Sequence, residues 1–245
     1  MNAIARRFIG PVLLCVLVYA PAALAQGGVN LAWNDCPAEG GLANLDFGCG
    51  TNTGVNQAVA SFVLPADAPQ VVGIYAVIDV QGEALPAWWS MQSGGCRYGA
   101  LSYSTDFTAE NYGASSHCFD VWQGQAIGGL DYALNYGGDP GHARFRIVAA
   151  VPGNEAKSLV AGREYYGFRM TMNNSKSSGA TSCAGCTSPV TLALSLLQIA
   201  QPYGVGDFNL TAPITRNTAT WQGTGGSGVT PVARRTWGQI KNLYR

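Results

Sequence analysis

Apolar and polar side chains alternate along much of this chain, with the period of two that is typical of a β-strand. Three segments show the pattern most clearly, namely 144–151, 163–172 and 208–214. The side chains predicted to face the core there are Phe145, Ile147 and Val151; Tyr166, Phe168, Met170 and Met172; and Phe208, Leu210 and Ile214. We therefore predict antiparallel strands, each with one face in contact with solvent.

Two further segments, 71–80 and 190–199, are almost continuously apolar, which predicts strands that are buried on both faces. The second is rich enough in leucine to suit a helix, and Pro189 and Pro202 at its ends fit either structure. Its neighbours are strands at similar spacing, so we favour a strand with Val190, Leu192, Leu194 and Leu196 on one side. More strands are expected near 28–33, 58–64, 97–107 and 217–222.

Clusters of glycine, proline and asparagine separate these segments, as turns do. About nine or ten strands at such intervals predict an all-β fold, an antiparallel β-sandwich or jelly roll over residues 26–222. Residues 223–235 are predicted to be a flexible linker. Residues 236–245 begin with a capping-box pattern and predict a short amphipathic helix. Its apolar side carries Trp237, Ile240, Leu243 and Tyr244, which either fold back on the domain or dock a partner.

The first 25 residues have the layout of a secretory signal peptide. Arg6 and Arg7 precede an apolar run over 8–20, and 23–25 read Ala-Leu-Ala, a cleavage site. The run is shorter than the roughly 20 apolar residues that a spanning helix needs, and no later segment is longer. We therefore expect a protein that is secreted or on the cell surface, in the periplasm or outside the cell, with no membrane span after cleavage.

An oxidising compartment makes disulfides the expected state of the six remaining cysteines. They are Cys36, Cys49, Cys96, Cys118, Cys183 and Cys186. Six cysteines allow 15 pairings, and proximity along the chain favours Cys36–Cys49, Cys96–Cys118 and Cys183–Cys186. The C-x-x-C motif at 183–186 has two other interpretations, a redox pair and a zinc site. Its Ser- and Gly-rich flanks and the absence of a second ligand pair favour a structural disulfide.

The chain is unusually poor in charge, since only 11% of its residues are charged, against about 25% in soluble domains. The formal net charge is zero, which speaks against nucleic acid or an anionic membrane as a partner. The surface must therefore consist largely of hydroxyl, amide, glycine and tyrosine groups. Such surfaces occur on secreted β proteins, on glycan-binding faces and on self-associating subunits.

The sequence contains no catalytic or cofactor-binding motif that we recognise. His117 has Ser115, Ser116 and Asp120 nearby, but such close neighbours seldom form a catalytic triad. Carboxylates are scattered, and a glycosidase needs only two of them about 5 to 10 Å apart in a cleft. A weak calcium site around Asp131, Asn135 and Asp139 matches no established spacing. We predict no cofactor, no metal site and no catalytic residues.

Aromatic side chains between residues 88 and 136 are the strongest binding signal. Exposed tryptophan and tyrosine rings stack on sugars and act as hot spots in protein interfaces. The predicted ligand-binding residues are Trp88, Trp89, Tyr98, Tyr112 and Trp122. The alternative is that Trp88 or Trp89 closes one end of the sandwich as part of the core.

Together these features predict a secreted, disulfide-stabilised protein that binds or assembles and does not catalyse. Its partner would be a glycan or a surface protein. Two alternatives remain open, a self-associating subunit of an extracellular or cell-surface assembly and a carbohydrate-active hydrolase.

Overall fold

The computed structural model describes residues 26–113 and 115–223, which fold into β-strands and a few short 3-10 turns. The predicted all-β class is confirmed. The strands are β1 (Gly28–Trp33), β2 (Asn44–Leu45), β3 (Val55–Val63), β4 (Ala68–Val71), β5 (Gly73–Gln81), β6 (Leu101–Ser104), β7 (Phe119–Asp120), β8 (Ile127–Leu134), β9 (His142–Ala150), β10 (Lys157–Leu159), β11 (Glu164–Asn173), β12 (Val190–Ala200), β13 (Phe208–Leu210) and β14 (Thr218–Trp221). The predicted signal peptide, the linker beyond Gly223 and the predicted C-terminal helix lie outside the described residues.

Two large sheets contain most of these strands. The first has the order β1-β3-β11-β6, and β7 pairs in parallel with β11. The second has the order β2-β14-β12-β5-β9-β8, and β13 pairs with β12. A separate pair is formed by β4 and β10. Nearly all of the pairing is antiparallel, as the alternating pattern predicts.

The two large sheets share one apolar core. Leu31 and Phe168 enter it from the first sheet, and Ile78, Phe145 and Leu192 enter it from the second, all without exposed surface. Burial of both inner faces against each other is what holds the layers of such a fold together. Among the described residues, no helix is long and apolar enough to cross a bilayer.

Two β-bulges change the predicted alternation. In β11 the pairing with β3 shifts between Tyr166 and Phe168, so Tyr165 joins Phe168 in the main core while Tyr166 packs on the outer face. In β12 the pairing with β5 shifts between Leu194 and Leu196, so Leu197 is buried and Leu196 is only half-buried. The predictions for Tyr166 and Leu196 were wrong because one extra residue in a strand reverses every side chain after it.

Other segments differ in extent from the predictions. Strand β8 was not predicted, because Gly128 and Gly129 in it resemble a turn in sequence. The strand expected at 208–214 ends at Leu210, and Ile214 is 37% exposed. The interpretation of 190–199 as a strand and not a helix is confirmed by β12.

Candidate functional site

Three loops meet at one end of the sheets, and we call residues 46–54, 82–100 and 174–189 the loop platform. They lead into or out of β3, β5, β11 and β12. Main-chain and side-chain bonds join them directly. Asn52 and Ser178 exchange two hydrogen bonds of 2.9 and 3.1 Å, and the Trp88 N–H donates to the Ala184 carbonyl over 2.9 Å. The loops therefore act as one surface and not as three independent excursions.

Two disulfides cross-link the loop platform. Cys49 pairs with Cys186, and Cys96 pairs with Cys183. Each sulfur of the C-x-x-C motif is thus bonded to a cysteine of another loop, Cys186 to loop 46–54 and Cys183 to loop 82–100. The two cysteines of the motif therefore do not form a disulfide with each other. The pairings predicted from chain proximity were wrong, because the strand topology brings together loops that are 137 and 87 residues apart. That all six cysteines form disulfides is confirmed.

The turn that contains the C-x-x-C motif packs tightly on the second loop. Gly185 has a left-handed backbone with φ of 92°, and a Cβ there would come within 2.2 Å of the Pro86 ring. Glycine is the residue that accepts both the conformation and the close approach. The motif is consequently fixed against residues 86–88 even apart from its disulfides.

A buried arginine lies at the centre of the platform. Arg97 is 1% exposed, and its guanidinium lies 3.4 Å from the centre of the Trp88 ring. Its Nε, Nη1 and Nη2 atoms donate to the carbonyls of Ser175, Trp88 and Asn173, so each nitrogen of the guanidinium forms a hydrogen bond. Burial lowers the pKa of Arg97 to about 10, which leaves it charged at neutral pH. No signal in the sequence identified this residue.

The predicted ligand-binding tryptophans lie in the core, and the prediction for them was wrong. Trp88, Trp89 and Trp122 have no exposed surface, so no ligand stacks on them from solvent. Trp88 packs against Trp221 with ring centres 4.2 Å apart, and its indole N–H donates to Ser177 Oγ over 3.1 Å. The alternative, that Trp88 or Trp89 closes one end of the core, applies to both residues.

Tyr98 and Tyr112, the other two predicted binding residues, are in different environments. Tyr98 is 70% exposed on the loop platform, directly after buried Arg97. Tyr112 is half-buried on another loop, where its hydroxyl donates to the Asn34 carbonyl over 2.7 Å and its ring meets Phe107 edge-on. Of the five predicted residues, Tyr98 is therefore the one whose aromatic face is open.

The third disulfide lies away from the platform. Cys36–Cys118 fastens loop 105–118 over the outer face of the first sheet, where Phe107 stacks on Tyr166 with ring centres 4.2 Å apart. The sequence separation of 82 residues again exceeds that of the predicted local pair.

The serine and histidine residues of this loop do not form a catalytic triad. Ser116 Oγ and Glu39 Oε1 both lie near the same histidine nitrogen, His117 Nδ1, at 2.8 and 3.4 Å. A triad uses the two ring nitrogens for different partners. Glu39 instead holds the loop, since hydrogen bonds from the Ser115 hydroxyl and from the His117 and Ser116 N–H groups lower its pKa to about 2. Asp120 accepts from the N–H groups of Trp122 and Gln123.

Two of the scattered carboxylates, Asp79 and Asp131, are occupied by donors of the same chain. Burial alone would raise the pKa of Asp79, but hydrogen bonds from Ser195, His142 and Arg144 outweigh it and hold that pKa below its usual value. Asp131 pairs with Arg146. These groups are bound side chains on the outer face of the second sheet, and they form no open acid pair there.

Two of the three residues considered for calcium, Asp131 and Asp139, are likewise engaged. Asp139 accepts from the Gly141 N–H over 2.8 Å, and Asp131 is bound to Arg146. Within 26–113 and 115–223, one group of metal-ligating atoms comes close enough to share an ion, that of Cys36, Cys118 and Glu164. Two of its three atoms are disulfide sulfurs, which are not available as ligands. The predicted docking residues Trp237, Ile240, Leu243 and Tyr244 lie outside the described residues.

Comparisons with known proteins do not assign the chain to a family. No family model matches it, and no curated protein matches it. Among solved structures it resembles a cohesin module from a Clostridium perfringens family 33 glycoside hydrolase, with 9% identity and a TM-score of 0.38. That match covers 80% of this chain and 93% of the other. Similarity of this degree supports no conclusion about function.

Proposed function

We propose that this chain is an exported, non-catalytic binding protein that recognises a neutral glycan through the loop platform, with Tyr98 as the contact residue. Its fold would be a β-sandwich whose loops carry the binding surface. The observation that carries the proposal is Tyr98 itself, an exposed aromatic ring on an immobilised loop. Cys96 two residues before it is bonded to Cys183, and Arg97 directly before it is buried.

Immobilisation matters because a flexible loop loses conformational entropy when it binds, whereas a fixed loop has already lost it on folding. Binding residues held by packing and cross-links are therefore better anchors than residues on mobile tips. The Tyr98 ring cannot follow the loop into another arrangement without breaking the bonds of Arg97 to Ser175 and Asn173.

The chemistry of the surrounding surface suits a glycan. Seven exposed side chains on the three loops are hydroxyls or amides, namely Thr51, Asn52, Thr53, Ser93, Thr181, Ser182 and Thr187. Such groups exchange hydrogen bonds with sugar hydroxyls, and a tyrosine face stacks on the apolar side of a sugar ring. Lys176 is exposed on the platform, but its ammonium donates to the Cys96 carbonyl over 2.8 Å.

The predicted location agrees with this proposal. The signal peptide over residues 1–25 would direct the chain out of the cytosol, and three disulfides are compatible with an extracellular or periplasmic site. For the hydrolase alternative, burial and the neighbouring Asp106 raise the pKa of Asp120, which is one feature of an acid pair. Both carboxylates are nevertheless bound within the chain, Asp106 by Thr108 and Asn111 and Asp120 by the N–H groups of Trp122 and Gln123.

Glycan-array screening of the mature protein, followed by calorimetric titration of the best ligand, tests the proposal. Tyr98→Ala is expected to weaken binding at least about tenfold, which corresponds to about 1.4 kcal/mol. The matched control is Tyr203→Ala, because Tyr203 is fully exposed at the far end of β12, about 30 Å from the platform. Tyr203→Ala should leave affinity unchanged.

Equal affinity of wild-type protein and Tyr98→Ala would refute the role of the platform. A surface protein captured through Tyr98, with no glycan bound, would refute the glycan and keep the site. The structural-subunit alternative depends on a different surface, the edge of the second sheet at β8.

A further inference from the structure

The edge of the second sheet at β8 is open, whereas the other sheet edges are short or covered. The outer side of β1 is bonded by segment 212–216, for example through the N–H groups of Val29 and Leu31 to the carbonyls of Ala212 and Arg216. β2 and β6 are edges of only two and four residues. β8 has eight residues, and within the described ranges it pairs with β9 alone.

The pairing shows which main-chain groups of β8 are free. At the end of β9, the Gly82 N–H donates to the Gly141 carbonyl, so odd-numbered residues of β9 bond to β5 and even-numbered ones bond to β8. Arg146 and Val148 stand opposite Asp131 and Gly129, so odd-numbered residues of β8 bond to β9. The N–H and C=O groups of even-numbered residues, such as Leu130, consequently point away from the sheet.

The usual protections of an open edge are missing from β8. Natural edge strands carry lysine, proline or an unpaired inward charge that prevents pairing with another strand. β8 reads IGGLDYAL, and its single charge, Asp131, is bound by Arg146. Ile127 at its start is 78% exposed, and Val148 beside it on β9 is 49% exposed. The edge is therefore apolar, uncharged overall and available for hydrogen bonding.

We infer that β8 is a self-association edge, on which β8 of a second copy of this chain pairs in antiparallel fashion across a two-fold axis. A free strand edge can be completed only by another extended strand, and this chain supplies one with the same free groups. The formal net charge of zero also means that two copies do not repel each other at long range.

Overlap and charge select the register. Opposite residues must share a face, so the axis passes through a residue, and an axis at Leu130 or Asp131 gives the longest overlap of the two strands. An axis at Asp131 would place that carboxylate opposite itself, whereas one at Leu130 pairs Gly129 with Asp131 of the second copy and Ile127 with Ala133. Gly129 offers room for this neighbour, since a Cβ placed on it would meet no atom within 4 Å. Each Asp131 remains compensated by its own Arg146, so the joined sheets contain no unpaired charge at the axis.

Two substitutions at Gly129 test both the edge and the register. Gly129→Asp places a carboxylate opposite Asp131 of the second copy, twice per dimer, and like charges directly opposite weaken strand pairing. Gly129→Lys places an ammonium there and creates two opposite-charge pairs. Within one chain, Arg146 and Asp131 lie on the same face as position 129 and carry opposite charges, so their effects on a charge at 129 largely cancel. Effects on folding and on association can therefore be told apart.

Sedimentation velocity of the mature protein, from micromolar to near-millimolar concentration, measures the association. Wild-type protein should form dimers, Gly129→Asp should raise the dimer dissociation constant by about tenfold or more, and Gly129→Lys should dimerise at least as well as wild type. A wild-type protein that stays monomeric at every concentration would overturn the inference, and so would equal dimerisation of the Asp and Lys variants. Neither outcome bears on glycan binding by Tyr98, which is measured separately.

Discussion

At the level of single residues, Arg97 is the most consequential side chain of the loop platform. Among the described residues, no carboxylate forms an ion pair with its buried charge, which is stabilised by three carbonyls and the face of Trp88. Lysine could not replace it, because an ammonium lacks the planar set of donors that reaches three separate acceptors. The Arg97 side chain thus connects loop 82–100 to residues 173–175 by hydrogen bonds. The disulfides connect the loops by covalent bonds.

Arg97→Lys should therefore lower the free energy of unfolding by about 2 to 3 kcal/mol, the amount expected when bonds to a charged group are lost in the interior. Urea unfolding at neutral pH measures this loss. The control is Arg163→Lys, since Arg163 is exposed and its guanidinium lies over the Phe119 ring, 4.2 Å from the ring centre. Equal stability of the two variants would show that Arg97 does not hold the platform.

The burial of Trp88 and Trp89 could not be predicted from the alternation of residues in the sequence. Two adjacent residues in a strand point to opposite faces, so alternation allows only one of Trp88 and Trp89 in the core. Both are buried because they lie on the 3-10 turn Ala87–Trp89, which closes the end of the core. An aromatic residue that binds a ligand and one that packs in the core cannot be told apart in a single sequence. Tyr98 differs from the tryptophans because it is exposed on a fixed loop, and that is visible only in the structure.

At the level of elements, the disulfides connect loops that are distant in the chain. Their sequence separations are 82, 87 and 137 residues. On the loop-entropy model each would stabilise the fold by about 4.5 to 5 kcal/mol, more than short local bridges would. Proximity failed as a guide to pairing because β-sheet topology, which is non-local, decides which loops become neighbours.

Two of the bridges form a matched pair for experiment, because Cys96–Cys183 and Cys36–Cys118 close loops of 87 and 82 residues. Replacing either pair by serine should cost similar global stability. Only the Cys96/Cys183 double substitution should speed amide hydrogen exchange in residues 92–100 and lower glycan affinity. Exchange mass spectrometry of both variants measures this. Equal exchange in 92–100 for the two variants would contradict a platform immobilised by its own bridge.

Strand patterns were the most predictable elements, and their failures have one cause. β9, β11 and β12 were expected in nearly the observed positions because their alternation is strong. The bulges near Gly167 and Ser195 depend on how a strand meets its partner, and a single sequence does not contain that information. β8 was missed for a related reason, since glycine in a strand resembles glycine in a turn.

At the level of the whole molecule, the structure separates two surfaces. The loop platform lies at one end of the sheets, and the open edge of β8 runs along one side. An antiparallel pairing through β8 would direct the platforms of two copies in opposite directions, so a dimer could bridge two glycan chains. The low charge of the chain suits both surfaces, because neither relies on ion pairs with its partner.

The central claim, that long-range disulfides converge on the C-x-x-C turn and fix the loop platform, can be tested by mass spectrometry without reduction. Trypsin would release 26–97, which contains Cys36, Cys49 and Cys96, together with 98–144 and 177–216. The account predicts one species in which all three peptides are joined, through Cys36–Cys118, Cys49–Cys186 and Cys96–Cys183. Release of 177–216 on its own, with Cys183 bonded to Cys186 or with free thiols, would contradict it.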